Sequence, residues 1–191
     1  MKLKEQLDNK ELKSSGFWLN QVFMIVSTIV GVYLAAQSGL QQALTFDTYS
    51  KMEDNYYLRM SLHDELSDNT RDLQAYIKDY LMRNAPAQEL KDNRPDMSKY
   101  IWETMKYNPT TLETPNEILT SARRFYSQTD DLLNRALARR LGANYAGQQL
   151  QIIVDDMQQN TLPYIAASAD QLKKELSKNG VEIGAIKGDK S

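Results

Sequence analysis

The chain contains no cysteine and only one histidine, His63. The absence of cysteine excludes disulfide bonds, thiolate metal sites, iron–sulfur clusters and covalently attached haem. With a single histidine, a compact metal site would have to use carboxylates alone. Glycine and proline are scarce, at 8 and 5 of 191 residues, which favours long helices over turn-rich β architectures. We therefore expect an all-α protein.

Neither sign of charge predominates in the chain. The chain has 23 basic and 25 acidic residues, and its net charge is −2. Such a balance produces no overall field that would recruit nucleic acid, so we expect no nucleic-acid partner.

One long apolar run stands out, FWLNQVFMIVSTIVGVYLAA at residues 17–36. It carries no formal charge, and as a helix it would cross the hydrocarbon core of a bilayer, about 30 Å thick. We interpret it as a transmembrane helix. The alternative is a cleaved signal peptide, because residues 36–38 (Ala-Gln-Ser) loosely match the small-x-small cleavage pattern. The length of the run and the polar pair Asn20-Gln21 within it favour an uncleaved signal anchor.

The lysines around this run predict its orientation. Four lysines precede it, whereas Lys51 is the only basic residue in 37–56. The excess of positive charge favours a cytoplasmic N-terminus. We therefore expect a short cytoplasmic tail at 1–16 and a single pass through a bacterial inner membrane. The remainder of the chain would lie in the periplasm.

One face of the predicted membrane helix is small or polar. At 100° per residue, five such residues fall within a narrow sector. They are Asn20, Ser27, Gly31, Ala35 and Ser38. Small residues allow close approach of two helix backbones, and an amide in the membrane seeks a hydrogen-bonding partner. Besides the bilayer, we expect another transmembrane helix as partner, from a second copy or from a different membrane protein.

Residues 37–180 are predicted to form an elongated periplasmic hairpin or bundle of three to five helices. Apolar residues recur with coiled-coil-like four-three spacing after residue 40. The first set is Leu62, Leu66, Asn69, Leu73, Tyr76 and Tyr80, and a second register adds Thr70, Ile77 and Leu81. Asn69 lies at a seam position, where a polar group can select the register. This helix is expected to extend to about residue 83.

Proline-rich stretches predict the connections. We expect a loop at 84–95, a short helix at 96–107, and a helix starting at 116 after a capping box formed by Thr114. That helix either ends near the Arg139–Gly142 corner or continues, kinked, to residue 161. In the expected topology the chain turns through 84–115 at the membrane-distal end and returns by the helix that follows.

Pro163 then opens a final helix, which ends at Asn179-Gly180 and fills the groove between the first two. Residues 181–191 are expected to form a flexible tail, with a short strand as the alternative.

Five aromatic residues are expected near the membrane-distal turn. They are Tyr76, Tyr80, Tyr100, Trp102 and Tyr107. Aromatic rings with a polar end are common in interfaces and ligand pockets. The same residues could instead seal the end of a thin bundle.

No pattern identifies a catalytic, cofactor or metal site. The segment HDE at 63–65 places three side chains in diverging directions on a helix, so we expect a solvent-facing histidine. The pairs Asp130-Asp131 and Asp155-Asp156 lack the Glu-x-x-His pattern of di-iron bundles. An anion site among the arginines of 123–140 has no accompanying glycine-rich loop.

Three classes of function follow. The first, which we favour, is a non-enzymatic membrane-anchored subunit or scaffold of a bacterial envelope complex. The second is a periplasmic sensory or ligand-binding bundle, which in architecture alone resembles chemoreceptor-type input domains. In those receptors the chain recrosses the membrane, whereas here only sixteen residues precede the span. This second class would include a small-molecule ligand, which no pattern in the sequence identifies. The third, a membrane-anchored hydrolase, lacks a recognisable nucleophile and base.

Overall fold

A computed structural model describes residues 15–184, and the regular structure in that range is entirely helical. The helices are α1 (Ser15–Tyr76), α2 (Ala87–Asp92), α3 (Tyr100–Met105), α4 (Asn116–Leu137), α5 (Ala143–Asp156) and α6 (Leu162–Lys178). Single π-helical turns follow α1 and α5, and a 3-10 turn precedes α4. The all-α prediction is confirmed for the described residues. Most of the two predicted tails, 1–16 and 181–191, lies outside them.

The chain divides into two compact units, residues 1–48 and 49–191. In the described part of the first unit, α1 exposes every side chain. The Thr28 hydroxyl donates a hydrogen bond to the carbonyl oxygen of Met24 at 2.8 Å. This hydroxyl is therefore hydrogen-bonded within its own helix, which lowers the free-energy cost of placing a threonine in an apolar segment.

In the second unit, α1 buries the predicted stripe. Leu62, Leu66 and Leu73 are fully buried, together with the polar seam residue Asn69. The second register is buried as well, through Thr70, Ile77 and Leu81. A stripe this wide contacts more than one neighbour, as in a helical bundle. It also begins earlier than the sequence suggested, because Asn55 and Arg59 are buried.

Residues 84–115, which we call the belt, do not form the expected distal turn. They run back along α1, attached by a series of hydrogen bonds from side chains spaced along that helix. The pairs are Tyr76 with Leu90, Asn69 with Ser98, Glu65 with Ile101, and Asn55 with Thr110. The expected loop at 84–95 contains α2, and the helix expected at 96–107 is the shorter α3.

Helix α4 runs in the same direction as α1, so the expected return of the chain through α4 is wrong. Thr114, just before α4, contacts Asn55, whereas Tyr126 in its middle contacts Glu65. The belt has already returned the chain to the level of Asn55 before α4 begins. The physical cause is that polar side chains on the buried face of α1 bind the belt along its whole length.

The predicted capping box at Thr114 is also wrong. Its hydroxyl donates to Oδ1 of Asn55 at 3.2 Å, so it is engaged with α1. Helix α4 begins at Asn116, directly after Pro115, without a side-chain cap. A tertiary hydrogen bond has replaced the local one.

Helix α4 ends at the predicted corner. Arg139 adopts a positive φ of 56°, and the N–H of Arg140 donates to the carbonyl oxygen of Arg135 at 2.9 Å, which closes the helix end. Helix α5 then packs back along α4: Leu132 and Gln149 line one groove between the two helices, and Phe125 and Ile153 line another. The alternative of one kinked helix over 116–161 is therefore wrong.

The expected break before Pro163 is absent. Helices α5 and α6 join through the π turn at Met157–Thr161, in which the Leu162 N–H donates to the Met157 carbonyl oxygen. Proline lacks an N–H group and its ring clashes with a carbonyl in a regular α-helix. The wider π turn accommodates it without interrupting the helix. Helix α6 runs antiparallel to α1 and packs on it, because Gln158 just before α6 contacts Gln74, whereas Ser168 within α6 contacts Arg59.

Candidate functional site

The packing face predicted for the long apolar segment of α1 is accessible along its whole length. Its five residues are exposed side chains of α1 in the first unit. A Cβ added to Gly31 would meet nothing within 4 Å. No described residue covers this face, so it is sterically free to approach a second helix. Whether it does so stays a prediction.

The five aromatic residues lie at two different levels of the second unit. Tyr76 is buried, its ring centroid is 5.5 Å from that of Tyr80, and its hydroxyl donates to the Leu90 carbonyl oxygen at 2.7 Å. Trp102 belongs to α3 and its ring lies 6.0 Å from that of Tyr126.

The remaining two, Tyr100 and Tyr107, are 76% and 87% exposed. Part of the aromatic set therefore fixes the belt to the bundle, and part of it faces outward.

A buried carboxylate is the main polar contact between α1 and the belt. Glu65 is 8% exposed. Its carboxylate accepts hydrogen bonds from the N–H groups of Ile101 at 2.6 Å and Trp102 at 3.0 Å. It also accepts one from the Tyr126 hydroxyl at 2.8 Å. Glu65 thus acts as an N-terminal cap for α3, although it lies on a different helix.

Asn69 and Tyr126 complete this network. Asn69 donates to the Ser98 carbonyl oxygen at 2.6 Å and accepts from the Ser98 N–H at 2.8 Å. Its amide also donates to the Tyr126 hydroxyl oxygen at 3.1 Å. Burial and the hydrogen bond to Glu65 raise the pKa of Tyr126 well above its usual range. The phenol is therefore held protonated as a donor.

A second network, at the other end of the belt, is built around Arg59. This guanidinium is 6% exposed and donates to the Ser168 hydroxyl at 2.7 Å and the Glu113 carbonyl oxygen at 2.8 Å. Its Nε has no partner among the described residues. Burial lowers the pKa of Arg59, and the nearby Glu113 carboxylate opposes that shift. Arg59 thereby connects α1, α6 and the end of the belt.

The charged candidates from the sequence do not converge on a reaction centre. His63 is half-buried, with Nδ1 3.0 Å from the adjacent Asp64 carboxylate. Asp131 pairs with Arg135 at 3.3 Å, as its i,i+4 spacing predicts. Asp130 pairs with Lys99 on the belt. Within residues 15–184, no group of acidic and histidine side chains is arranged to hold a metal ion.

Sequence reasoning missed Asn55, Arg59 and Glu65. The four-three spacing that identified Leu62 and Leu66 continues upstream to positions 59 and 55, and this signal would have placed both on the seam. Glu65 neighbours a seam position and carries no such signal, because an isolated glutamate on a helix usually faces solvent. Only the belt reveals its role.

Comparison of the chain with protein-family models, with curated proteins and with solved structures finds no match in any of the three.

Proposed function

We propose that this protein is a non-enzymatic, membrane-anchored subunit or scaffold of a bacterial envelope complex. One observation carries the proposal: the apolar part of α1 is long enough to span a membrane, has a mean hydropathy of 1.8, and buries none of its residues within the described structure. A core helix of a water-soluble protein would bury such a surface. A bilayer is an environment that accepts it on all sides.

The continuity of α1 supports an uncleaved anchor. The helix extends without interruption from Ser15 to Tyr76, through the Ala-Gln-Ser stretch at 36–38. Signal peptides end in a small-residue cleavage segment, and cleavage there would cut this helix. The lysines before the span favour a cytoplasmic N-terminus, so the helical bundle lies on the periplasmic side.

The buried network around Glu65 supports a role in binding rather than catalysis. Glu65, Asn69 and Tyr126 are saturated by hydrogen bonds within the chain. Groups engaged in this way are not available to a substrate. We assign the function to surfaces, including the face around Gly31, which acts on another transmembrane helix.

Cysteine labelling tests the membrane topology, because the natural chain has no cysteine background. Single cysteines replace Ser14 and Ser177, and intact cells are treated with a membrane-impermeant maleimide. We expect labelling at position 177 in intact cells and at position 14 only after permeabilisation. Labelling at position 14 alone would reverse the orientation. A mature protein lacking residues 1–38 would establish cleavage.

A matched pair of variants tests the packing face. Gly31→Ile places a branched side chain between closely packed backbones and should weaken association by about 1–2 kcal/mol, or about tenfold. Ile29→Leu keeps volume and polarity and should have no effect. Crosslinking and copurification from mild detergent provide the measurement. Equal behaviour of the two variants would show that the face is not an interface.

A further inference from the structure

A cavity of about 410 Å³ lies in the second unit, where the end of the α1 π turn meets the corner between α4 and α5. The buried side chains of Leu90 and Ala136 and the half-buried Leu141 supply apolar surface. Exposed Asn84 and Arg139 also line it. Its volume falls in the range of ligand sites, and its lining combines these apolar side chains with a larger share of polar surface that includes one cationic group.

The surroundings of the cavity are basic in a chain that is acidic overall. Residues 83–92 and 135–143 contain five basic side chains and two acidic side chains, whereas the whole chain has a net charge of −2. Of the five, Arg135 pairs with Asp131.

The other four, which we call the corner cations, make no ion pair with any residue in the described range 15–184. They are Arg83, Lys91, Arg139 and Arg140. Each lines the cavity or is adjacent in sequence to a residue that does. Arg139, the corner cation that lines the cavity, is electrostatically complementary to an acidic partner, and the other three add positive charge in the flanking segments.

Arg139 occupies its position at a conformational cost. Asn84 and Arg139, with φ of 51° and 56°, are the non-glycine residues of the described chain that have positive φ, and both line this cavity. Each follows the end of a helix, where glycine is the usual residue because it adopts this conformation without steric cost. Asparagine tolerates it, but arginine does not do so readily. The end of a helix by itself favours glycine at position 139. Arginine at this position instead places a cationic side chain at the cavity.

We propose that this cavity and the corner cations bind an acidic polypeptide segment of a partner protein, with an apolar side chain of that segment inserted among Leu90, Ala136 and Leu141. The corner cations extend beyond the lining of the cavity, so a ligand that engages them must be longer than the cavity. That requirement favours a polypeptide over a small carboxylate. The inference rests on the proposed scaffold function and specifies one of its surfaces.

The test uses the full-length protein in detergent micelles and a panel of short fluorescent peptides built of leucine and glutamate in different orders. A matched panel carries glutamine in place of glutamate. We expect saturable binding of at least one acidic peptide, measured by fluorescence anisotropy, and much weaker binding of its glutamine counterpart. Arg139→Gly should weaken that binding about tenfold, as for the loss of one charge-assisted hydrogen bond, while the melting temperature stays equal or rises.

Two controls separate charge from strain and from general electrostatics. Asn84→Gly relieves the same backbone conformation without removing charge, and should leave peptide binding unchanged. Arg123→Gln removes an exposed charge elsewhere on α4, and should also leave it unchanged.

The proposal is overturned if no acidic peptide binds better than its glutamine counterpart, or if Arg139→Gly and Arg123→Gln have equal effects. It is also overturned if octanoate, a free amphiphilic carboxylate, competes for the site with an affinity equal to or above that of the peptide, because the corner cations beyond the cavity would then contribute nothing to binding. None of these results bears on the labelling of Ser14 and Ser177 variants, so failure here is distinguishable from failure of membrane anchoring.

Discussion

Replacing Glu65 by glutamine tests whether the belt is held by its buried carboxylate. The two carboxylate oxygens of Glu65 accept hydrogen bonds from different donors. One accepts from the Ile101 N–H, and the other accepts from the Trp102 N–H and the Tyr126 hydroxyl. A glutamine side chain offers one oxygen and one NH₂ group. In either orientation at least one of the three donors would face another donor.

The expected loss of stability follows from these contacts. An unsatisfied buried donor costs about 1–3 kcal/mol, and hydrogen bonds to a charged acceptor contribute about 1.5–3 kcal/mol each. The bonds that glutamine retains are also weaker, because the acceptor is neutral. We expect Glu65→Gln to lower the free energy of unfolding by about 2–4 kcal/mol, a large part of the 5–15 kcal/mol typical of a folded protein.

Urea unfolding of the detergent-solubilised chain provides the assay. Far-UV circular dichroism follows the bundle, and fluorescence of Trp102 in a Trp18→Phe background follows α3. Glu103→Gln is the matched control, because Glu103 is an exposed glutamate on α3 itself. Its effect should stay within about 0.5 kcal/mol, as for ordinary surface substitutions.

A double-mutant cycle identifies the partner. Tyr126→Phe removes the hydroxyl that donates to Glu65, so the two substitutions together should cost less than the sum of their separate effects. The reasoning is refuted if Glu65→Gln and Glu103→Gln change the free energy of unfolding equally. It is also refuted if the effects of Glu65→Gln and Tyr126→Phe are simply additive.

Three further predictions follow from burial and local geometry. The pKa of Tyr126 is raised in the folded state. The protonated phenol therefore makes its full contribution to the free energy of unfolding below the unfolded-state pKa of about 10, and this contribution is lost as pH rises above that value. Between pH 9 and 11, the free energy of unfolding of Tyr126→Phe should therefore fall less steeply than that of the natural chain. Chemical unfolding at each pH measures the difference in slope, which should reach up to about 1.4 kcal/mol per pH unit. Leu133→Asp should unfold the bundle in circular dichroism, since Leu133 is fully buried, whereas Leu132→Asp should be milder because Leu132 is half-buried. Gly147→Ala should lower the melting temperature, because its Cβ would lie 3.1–3.2 Å from neighbouring side chains, whereas Gly142→Ala meets nothing within 4 Å and should not.

The periodicity of the sequence was sufficient to predict the long helices. The spacing of Leu62, Leu66 and Leu73 follows from the 3.6-residue repeat and from burial of one face, so it is visible without knowledge of the partner elements. The end of α4 just before Arg139 was also predicted from a local signal, the basic residues near its last turn, although the residue with positive φ there is Arg139 and not Gly142. Helix type and approximate bounds are therefore encoded locally.

The direction of α4 could not be predicted, because it depends on the belt. A segment with two prolines and several turn formers has the composition of a loop, and nothing in that composition says that it runs back along α1. The information lies in Asn55, Glu65 and Asn69, each of which recognises main-chain atoms of the belt. Hydrogen bonds to main-chain groups leave no pattern in the sequence of the segment that is bound. The π turn before Pro163 was likewise not predicted, because a proline at that position indicated a break between two helices.

The way the belt is attached explains why a bundle of this size buries so many polar groups. Among its residues, Leu90 and Met105 bury large apolar side chains, and apolar contacts of that kind tolerate sliding of one segment along another. A buried polar group is costly unless it is paired. Asn69 is paired with both the N–H and the carbonyl oxygen of Ser98, and a shift of the belt by one residue would break both bonds at once. The polar seam of α1 therefore fixes the register of the belt, and through it the start of α4. In this bundle the buried amide and carboxylate contribute positional specificity that an apolar seam of the same length would not provide.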